Sequence, residues 1–221
     1  MNSPEVAELL VIRHGQASFG QANYDVLSNL GHRQSEALGA LRRDLGWVPD
    51  RLVTGTLRRQ KDTLKAMGFA AAPEEHEGFN EYDFHDLIHA RFDGQVPDLV
   101  MGDRKTHFRA LRETVFAWQD AAFEGAAETY AAFTERVAAA RAFATQTEAK
   151  RVLVISSGGV IGQMTATALG AGKRQMMELN LQIKNTSLTR FKFKGARFSL
   201  HEFNATPHFS TPAGAALLSY S

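Results

Sequence analysis

Leu9-Leu10-Val11-Ile12, four consecutive apolar residues that stop abruptly at Arg13-His14-Gly15, constrains this chain more than any other feature. An unbroken apolar run of that length reads as a strand buried on both faces, as in a parallel sheet covered by helices. Open α/β sheets bind ligands at the carboxyl ends of such strands. Arg13 and His14 therefore fall where a phosphate could be bound and attacked. Taken alone, they also fit a loop arginine capping carbonyls beside a surface histidine.

The order of elements supports the sheet. Ser28 and Asn29 offer helix caps, and Leu30, Gln34, Ala37, Leu38, Leu41 and Leu45 follow at near-helical spacing until Gly46 and Pro49 stop them. Arg51 to Thr54 reads as a short strand, Gly55-Thr56 as a turn, and Leu57 to Met67 as a helix ended by Gly68. This β-α-β-α alternation predicts a three-layer α/β/α fold with a mostly parallel central sheet. Glu74 to about Ala127 is acidic and aromatic, with turn residues at Asp93-Gly94, Pro97-Asp98 and Gly102-Asp103, and reads as a cap inserted over the sheet edge. An alanine-rich helix follows from Glu128 to about Thr147. Arg151 to Ile155 is a third apolar strand, Ser156-Ser157-Gly158-Gly159 a loop, and Val160 to Leu169 a helix. Ser187 to Phe193 and Arg197 to Phe203 form a hairpin, and Pro207 to Ser221 reads as a tail. The whole is expected to be a single domain, 1–221.

Composition narrows the functions. With 221 residues, 44% hydrophobic, 22% charged and a net charge of +1, the chain reads as a soluble globular protein without a nucleic-acid or membrane partner. There is no cysteine, which removes thiolate nucleophiles and cysteine-bound zinc. The first eight residues lack the apolar core of a signal peptide, so the protein is expected to be cytoplasmic and unprocessed.

Three predicted strands thus end in polar loops, at Arg13-His14, at Thr54 to Thr56 just before Arg59, and at Ser156 to Gly159. Parallel strands point these loops toward one place. The last can present backbone N–H groups and the positive end of a helix dipole to an anion, although alone it is equally an ordinary tight turn.

In combination these segments resemble the histidine phosphatase superfamily, the phosphoglycerate mutase-like proteins. The resemblance rests on Leu10 to Gln16, on Tyr24 to Gln34, on Leu57 to Thr63 with Arg59 four before Thr63, on Phe79-Asn80-Glu81, and on Val152 to Ile161. It implies that His14 is the nucleophile, forming a phosphohistidine, and that Arg13 and Arg59 clamp the phosphoryl oxygens, a task for which a planar, permanently charged fork is suited. Glu81 would protonate the leaving oxygen and then deprotonate the attacking water, with Asp83 as the runner-up. Ser157 and Gly158 would line the phosphate site. No metal or organic cofactor is implied. The expected partner is a small phosphorylated molecule or inorganic phosphate.

One departure stands out. Where the family has a second histidine after the last core strand, this chain has Ser157. Losing a preorganised charge-stabilising donor costs roughly a hundredfold to a thousandfold in rate. Three readings follow: a slower phosphatase, a phosphatase in which His85, His89, His107 or His208 substitutes, or a phospholigand-binding protein that has stopped turning over. If the site is otherwise intact, Ser157→His is expected to raise turnover. A mutase is disfavoured, because neither the second histidine nor long re-binding insertions are present. His85 and His89 also lie four apart beside Asp86, a helical spacing that could hold a metal, although no third ligand is evident. Arg104, Lys105, His107 and Arg109 form a basic patch that is either a solvated helix face or an arm reading an acidic substrate.

Overall fold

A computed structural model of the chain describes residues 6–18, 25–96 and 104–220. Tyr24, Pro97-Asp98, Gly102-Asp103 and the side chains of Arg104, Lys105 and His107 lie outside that description. The elements are β1 (Ala7–Arg13), α1 (Asn29–Asp44), β2 (Arg51–Thr54), α2 (Arg58–Met67), β3 (Glu74–Glu75), α3 (Phe84–Arg91), α4 (Arg104–Gln119), α5 (Tyr130–Thr145), β4 (Arg151–Ser156), α6 (Gly158–Ala168), α7 (Lys173–Asn180), β5 (Leu188–Lys194), β6 (Arg197–Ala205) and α8 (Pro212–Ala215).

The six strands form one sheet in the order β3-β2-β4-β1-β5-β6. The first four are mutually parallel, and β5 and β6 run antiparallel to their neighbours. Strand β1 is buried along its whole length, as its unbroken apolar run requires. Successive side chains leave on opposite faces. Leu9 and Val11 accordingly pack with Phe133, Val137, Val160 and Ile161 of α5 and α6, while Leu10 and Ile12 pack with Leu38, Leu64 and Met67 of α1 and α2. Helices cover both faces, giving a mixed α/β fold around a six-stranded sheet. Glu74-Glu75, at the start of the segment read as a cap, pairs with β2 as the sheet's edge strand.

Two parts of the chain differ from the sequence expectation. Helix α7 was not anticipated; only Met176 and Met177 mark its buried side, too short a pattern to stand out. Residues 207–220 are no tail. They form a 3-10 turn (Pro207–Phe209) and α8, and bury His208, Phe209 and Leu217 against the body. The cause is partly polar: the fully buried Gln34 amide donates to Leu217 O (2.7 Å) and Ser219 Oγ (2.8 Å), partners that lie 183 and 185 residues away. Such pairing is invisible to a local reading of a short, weakly apolar terminus.

The loop after β1 is pressed onto α1. A Cβ added to Gly31 would lie 2.2 Å from the Gln16 carbonyl oxygen, a backbone atom that cannot yield by rotating a side chain. Gly31→Ala is therefore expected to lower stability by about 1–3 kcal/mol through overpacking. Denaturant unfolding would measure it, and a loss below about 0.5 kcal/mol would show that the contact is softer than its geometry.

Candidate active site

The site is assembled by adjacency in the sheet. Arg13 at the end of β1 is in register with Ser156 at the end of β4, and the His14 N–H donates to the Ser156 carbonyl at 3.0 Å. On the other side of β4, Gly55 after β2 donates to the Ile155 carbonyl (3.2 Å). The three loops read from sequence as convergent do converge.

His14 is fully enclosed, and its ring is fixed at both nitrogens. Nδ1 lies 2.7 Å from the Gly15 carbonyl oxygen, which can only accept, so Nδ1 carries the proton. Nε2 is then unprotonated, and it accepts from Arg59 Nε at 3.2 Å. Burial, followed by the positive charges of Arg59 and Arg13, pushes the His14 pKa well below its ordinary value; the Gly15 bond opposes this but does not win. The result is a neutral imidazole with its lone pair on the nitrogen facing an arginine.

Arg59 rather than Arg58 faces His14, and Arg58 instead pairs with Asp62 in an exposed contact. Arg59 also makes an ion pair with Asp25 (2.9 Å), whose carboxylate further accepts from the backbone N–H groups of Arg58 (2.8 Å) and Arg59 (3.3 Å). Asp25 thus caps the start of α2 and aims the guanidinium. Thr63, one helical turn on, donates to the Arg59 carbonyl (2.7 Å) and accepts from Gly15 N (2.9 Å), tying helix to loop. Arg13 donates to the Ile183 carbonyl beyond the end of α7.

Glu81 is half-buried, and both of its carboxylate oxygens accept from Gly159 N (3.1 and 3.0 Å) at the start of α6. Asp83, the alternative acid, is exposed and caps α3 through Asp86 N. Ser157 is the N-cap residue of α6, yet its side chain makes no capping bond; Glu81 occupies that role. The Ser157 hydroxyl instead accepts from Gln60 Nε2 (2.9 Å), and both residues are fully buried. A Cβ added at Gly158 would lie 2.2 Å from Asn180 Oδ1 and 3.7 Å from Arg13 Cζ.

The candidate replacement histidines do not gather at Ser157. His85 and His89 are exposed on α3, and Asp86 between them accepts from Ala127 N. Among the described residues no group of three or more His, Asp or Glu could hold a metal. The side chain of His107 lies outside the description. His208 is buried behind the His14 loop. Its Nε2 lies 2.9 Å from Thr186 Oγ1, and Thr186 N donates to the Arg13 (3.1 Å) and His14 (3.4 Å) carbonyls. His208 braces the loop from its backbone side. At position 157 the Gln60 amide packs directly against the serine hydroxyl.

Sequence reasoning missed Asp25, Gln60, Asn185 and Thr186. Asn185 donates to the His14 carbonyl (3.3 Å) and is held by Ser219, whose Oγ donates to its Oδ1 (2.9 Å). Asp25 and Gln60 stood within recognised segments, so their positions were available; their partners were not.

The sequence model for the histidine phosphatase superfamily (branch 1) matches residues 9–206. The chain belongs to that superfamily. No protein among curated sequences matches it. Similar solved structures include a mycobacterial glucosyl-3-phosphoglycerate phosphatase with inorganic phosphate, 22% identical over 91% of this chain and 99% of that one, with a TM-score of 0.67. A phosphoserine phosphatase from Entamoeba histolytica in complex with 3-phosphoglyceric acid is 21% identical over 91% and 98%, TM-score 0.66. The α-ribazole phosphatase from Shigella flexneri is 20% identical over 90% and 96%, TM-score 0.64. At these identities the likeness establishes the superfamily fold. Among the described residues, no helix is long and apolar enough to cross a membrane.

Two buried histidines make stability depend on pH. Burial pushes the His208 pKa down to about 4, and that of His14 is lowered further by two arginines. In the unfolded chain both titrate near 6.5, so between 6.5 and 4 the unfolded state binds more protons. Stability is therefore complete above pH 6.5 and falls as the pH drops toward 4, by at most about 3 kcal/mol from His208. Denaturant melts at pH 7, 5.5 and 4.5 should show this slope, and His208→Gln should flatten it. An unchanged slope in that variant would remove His208 from the account.

Proposed function

We propose that this superfamily member hydrolyses a small phosphate monoester through a phosphohistidine on His14. The observation that carries the reading is the state of that ring: neutral, with Nδ1 pinned to a carbonyl and the Nε2 lone pair directed at a guanidinium. A nucleophile must be unprotonated at the attacking atom, and a phosphoryl group must meet positive charge at its oxygens. Arg59 and Arg13 supply that charge.

In the first step His14 Nε2 forms a bond to phosphorus as the P–O bond to the alcohol breaks, with Glu81 giving its proton to the leaving oxygen. In the second, water attacks phosphorus, Glu81 takes the water proton, and the N–P bond breaks to release inorganic phosphate and the free imidazole. Arg59 releases Nε2 when a phosphoryl group enters and offers the same donor to an oxygen. Ser157 and the N-terminal turn of α6 at Gly158 lie against the phosphate. The similar solved structures are those of phosphatases, in keeping with phosphate-ester hydrolysis.

The competing reading is a binder of phosphorylated ligands, favoured by one observation: a neutral serine stands where an imidazole could carry charge. The two separate experimentally. With a chromogenic aryl phosphate, activity is expected to survive EDTA and to fall by at least a thousandfold in His14→Ala, with acid-labile phosphate trapped on the parent protein alone. Phosphate binding without hydrolysis or labelling would establish the binder.

Asp25 gives an independent handle. Asp25→Asn removes the countercharge that aims Arg59 while keeping a cap for α2. It should lower kcat/KM roughly tenfold, the scale of one partly exposed charge-assisted contact. Wild-type kinetics in this variant would mean that Arg59 needs no such support.

A further inference from the structure

We propose that Ser157 donates its hydroxyl proton to an oxygen of the bound phosphoryl group, and that Gln60 is the positioning residue that reserves it for that use. The proposal rests on the phosphate-site reading above.

The orientation of the Gln60 amide is set by two partners of opposite kind. The Phe79 carbonyl can only accept, and it lies 2.9 Å from Nε2. The Leu57 N–H can only donate, and it meets Oε1 at 3.3 Å. The second Nε2 proton therefore points to Ser157 Oγ, 2.9 Å away, and the serine oxygen is the acceptor in that contact. The amide has no freedom to turn, because it also packs on Gly55, where a Cβ would lie 2.0 Å from Oε1.

The Ser157 proton is left over. Both lone pairs of the Phe79 carbonyl are taken, one by Gln60 and one by Ser156 Oγ at 2.8 Å. The first turn of α6, which an N-cap serine would ordinarily serve as an acceptor, is capped at Gly159 by Glu81. Among the described residues no acceptor meets the hydroxyl, and the residue has no exposure to bulk water. A buried donor without an acceptor costs about 1–3 kcal/mol, and such groups in native proteins point to something that the site binds. Ser157 follows the residue in register with Arg13, and its neighbour Gly158 lies against the Arg13 guanidinium. An anion clamped by Arg13 and Arg59 brings the missing acceptor. One neutral, preoriented donor thus stands where a charged one could have been.

The test uses Ser157→Ala, Gln60→Met and the double variant, with inorganic phosphate and orthovanadate as calorimetric probes and a chromogenic aryl phosphate for kinetics. Orthovanadate, which adopts the five-coordinate geometry of phosphoryl transfer, reports the transition state. Ser157→Ala should weaken vanadate about tenfold and phosphate about twofold, and lower kcat about tenfold with KM within twofold. Gln60→Met should reproduce part of this loss in the parent and add nothing in the Ser157→Ala background, a non-additivity that a merely structural Gln60 would not give. Vanadate affinity unchanged in Ser157→Ala, or a Gln60→Met loss undiminished in the double variant, overturns the proposal. If Gln60→Met does not fold, Gln60→Asn, which withdraws the amide from Ser157, takes its place with the same expected coupling. A parent that binds both anions but hydrolyses no ester sinks the catalytic reading and leaves the anion measurements to decide this one. A parent that binds neither anion ends both.

Discussion

The loop from His14 to Gln16 is held by backbone contact on every side, and the site depends on that confinement. Gly15 and Gly31 approach so closely that neither tolerates a Cβ. Thr63 bonds Gly15 N from α2, Gln34 accepts from Gln16 N (2.9 Å) from α1, and Asn185 reaches the His14 carbonyl from the segment before β5. Only a loop held this firmly can bring the Gly15 carbonyl to 2.7 Å from the Nδ1 of the preceding residue and so decide which ring nitrogen is free. A looser loop would let the imidazole rotate, and the tautomer would be undetermined.

Confinement also sets the electrostatics. Enclosing His14 beside two arginines makes its charged form expensive, so the ring stays neutral, and the Gly15 carbonyl orients it. The arginines repel one another less than their number suggests, because Asp25 compensates Arg59 from the exposed side of α2. The Glu81 carboxylate is held by the Gly159 N–H at the start of α6. Arg13 and His14 come from the end of β1, Arg59 from α2 and Glu81 from the segment before α3, and the fold brings them together.

The C-terminal segment is part of the same construction. Ser219 accepts from Gln34 and donates to Asn185, the two buried amides that hold the His14–Gln16 loop. His208 adds a third brace through Thr186. A buried amide cannot be left unpaired without cost, which is why a terminus of low apolar content nevertheless packs.

By itself the sequence determined the layered α/β class and the three strand ends, because these follow from an apolar run and a helical period, whereas Arg13, His14, Arg59 and Glu81 were singled out through the resemblance to a family. The spacing of Arg59 to Thr63 was read from the resemblance, and in the structure one helical turn lets the threonine bond the arginine's own carbonyl. Only the tertiary structure decided what surrounds Ser157. The Gln60 amide, Phe79 carbonyl and Ser157 hydroxyl come from three elements spread over 97 residues, and no local pattern encodes a meeting of that kind. The same holds for the packed terminus. A short apolar or polar segment is placed by partners distant in the chain, and hydrogen-bond satisfaction among buried groups is settled after the chain has folded.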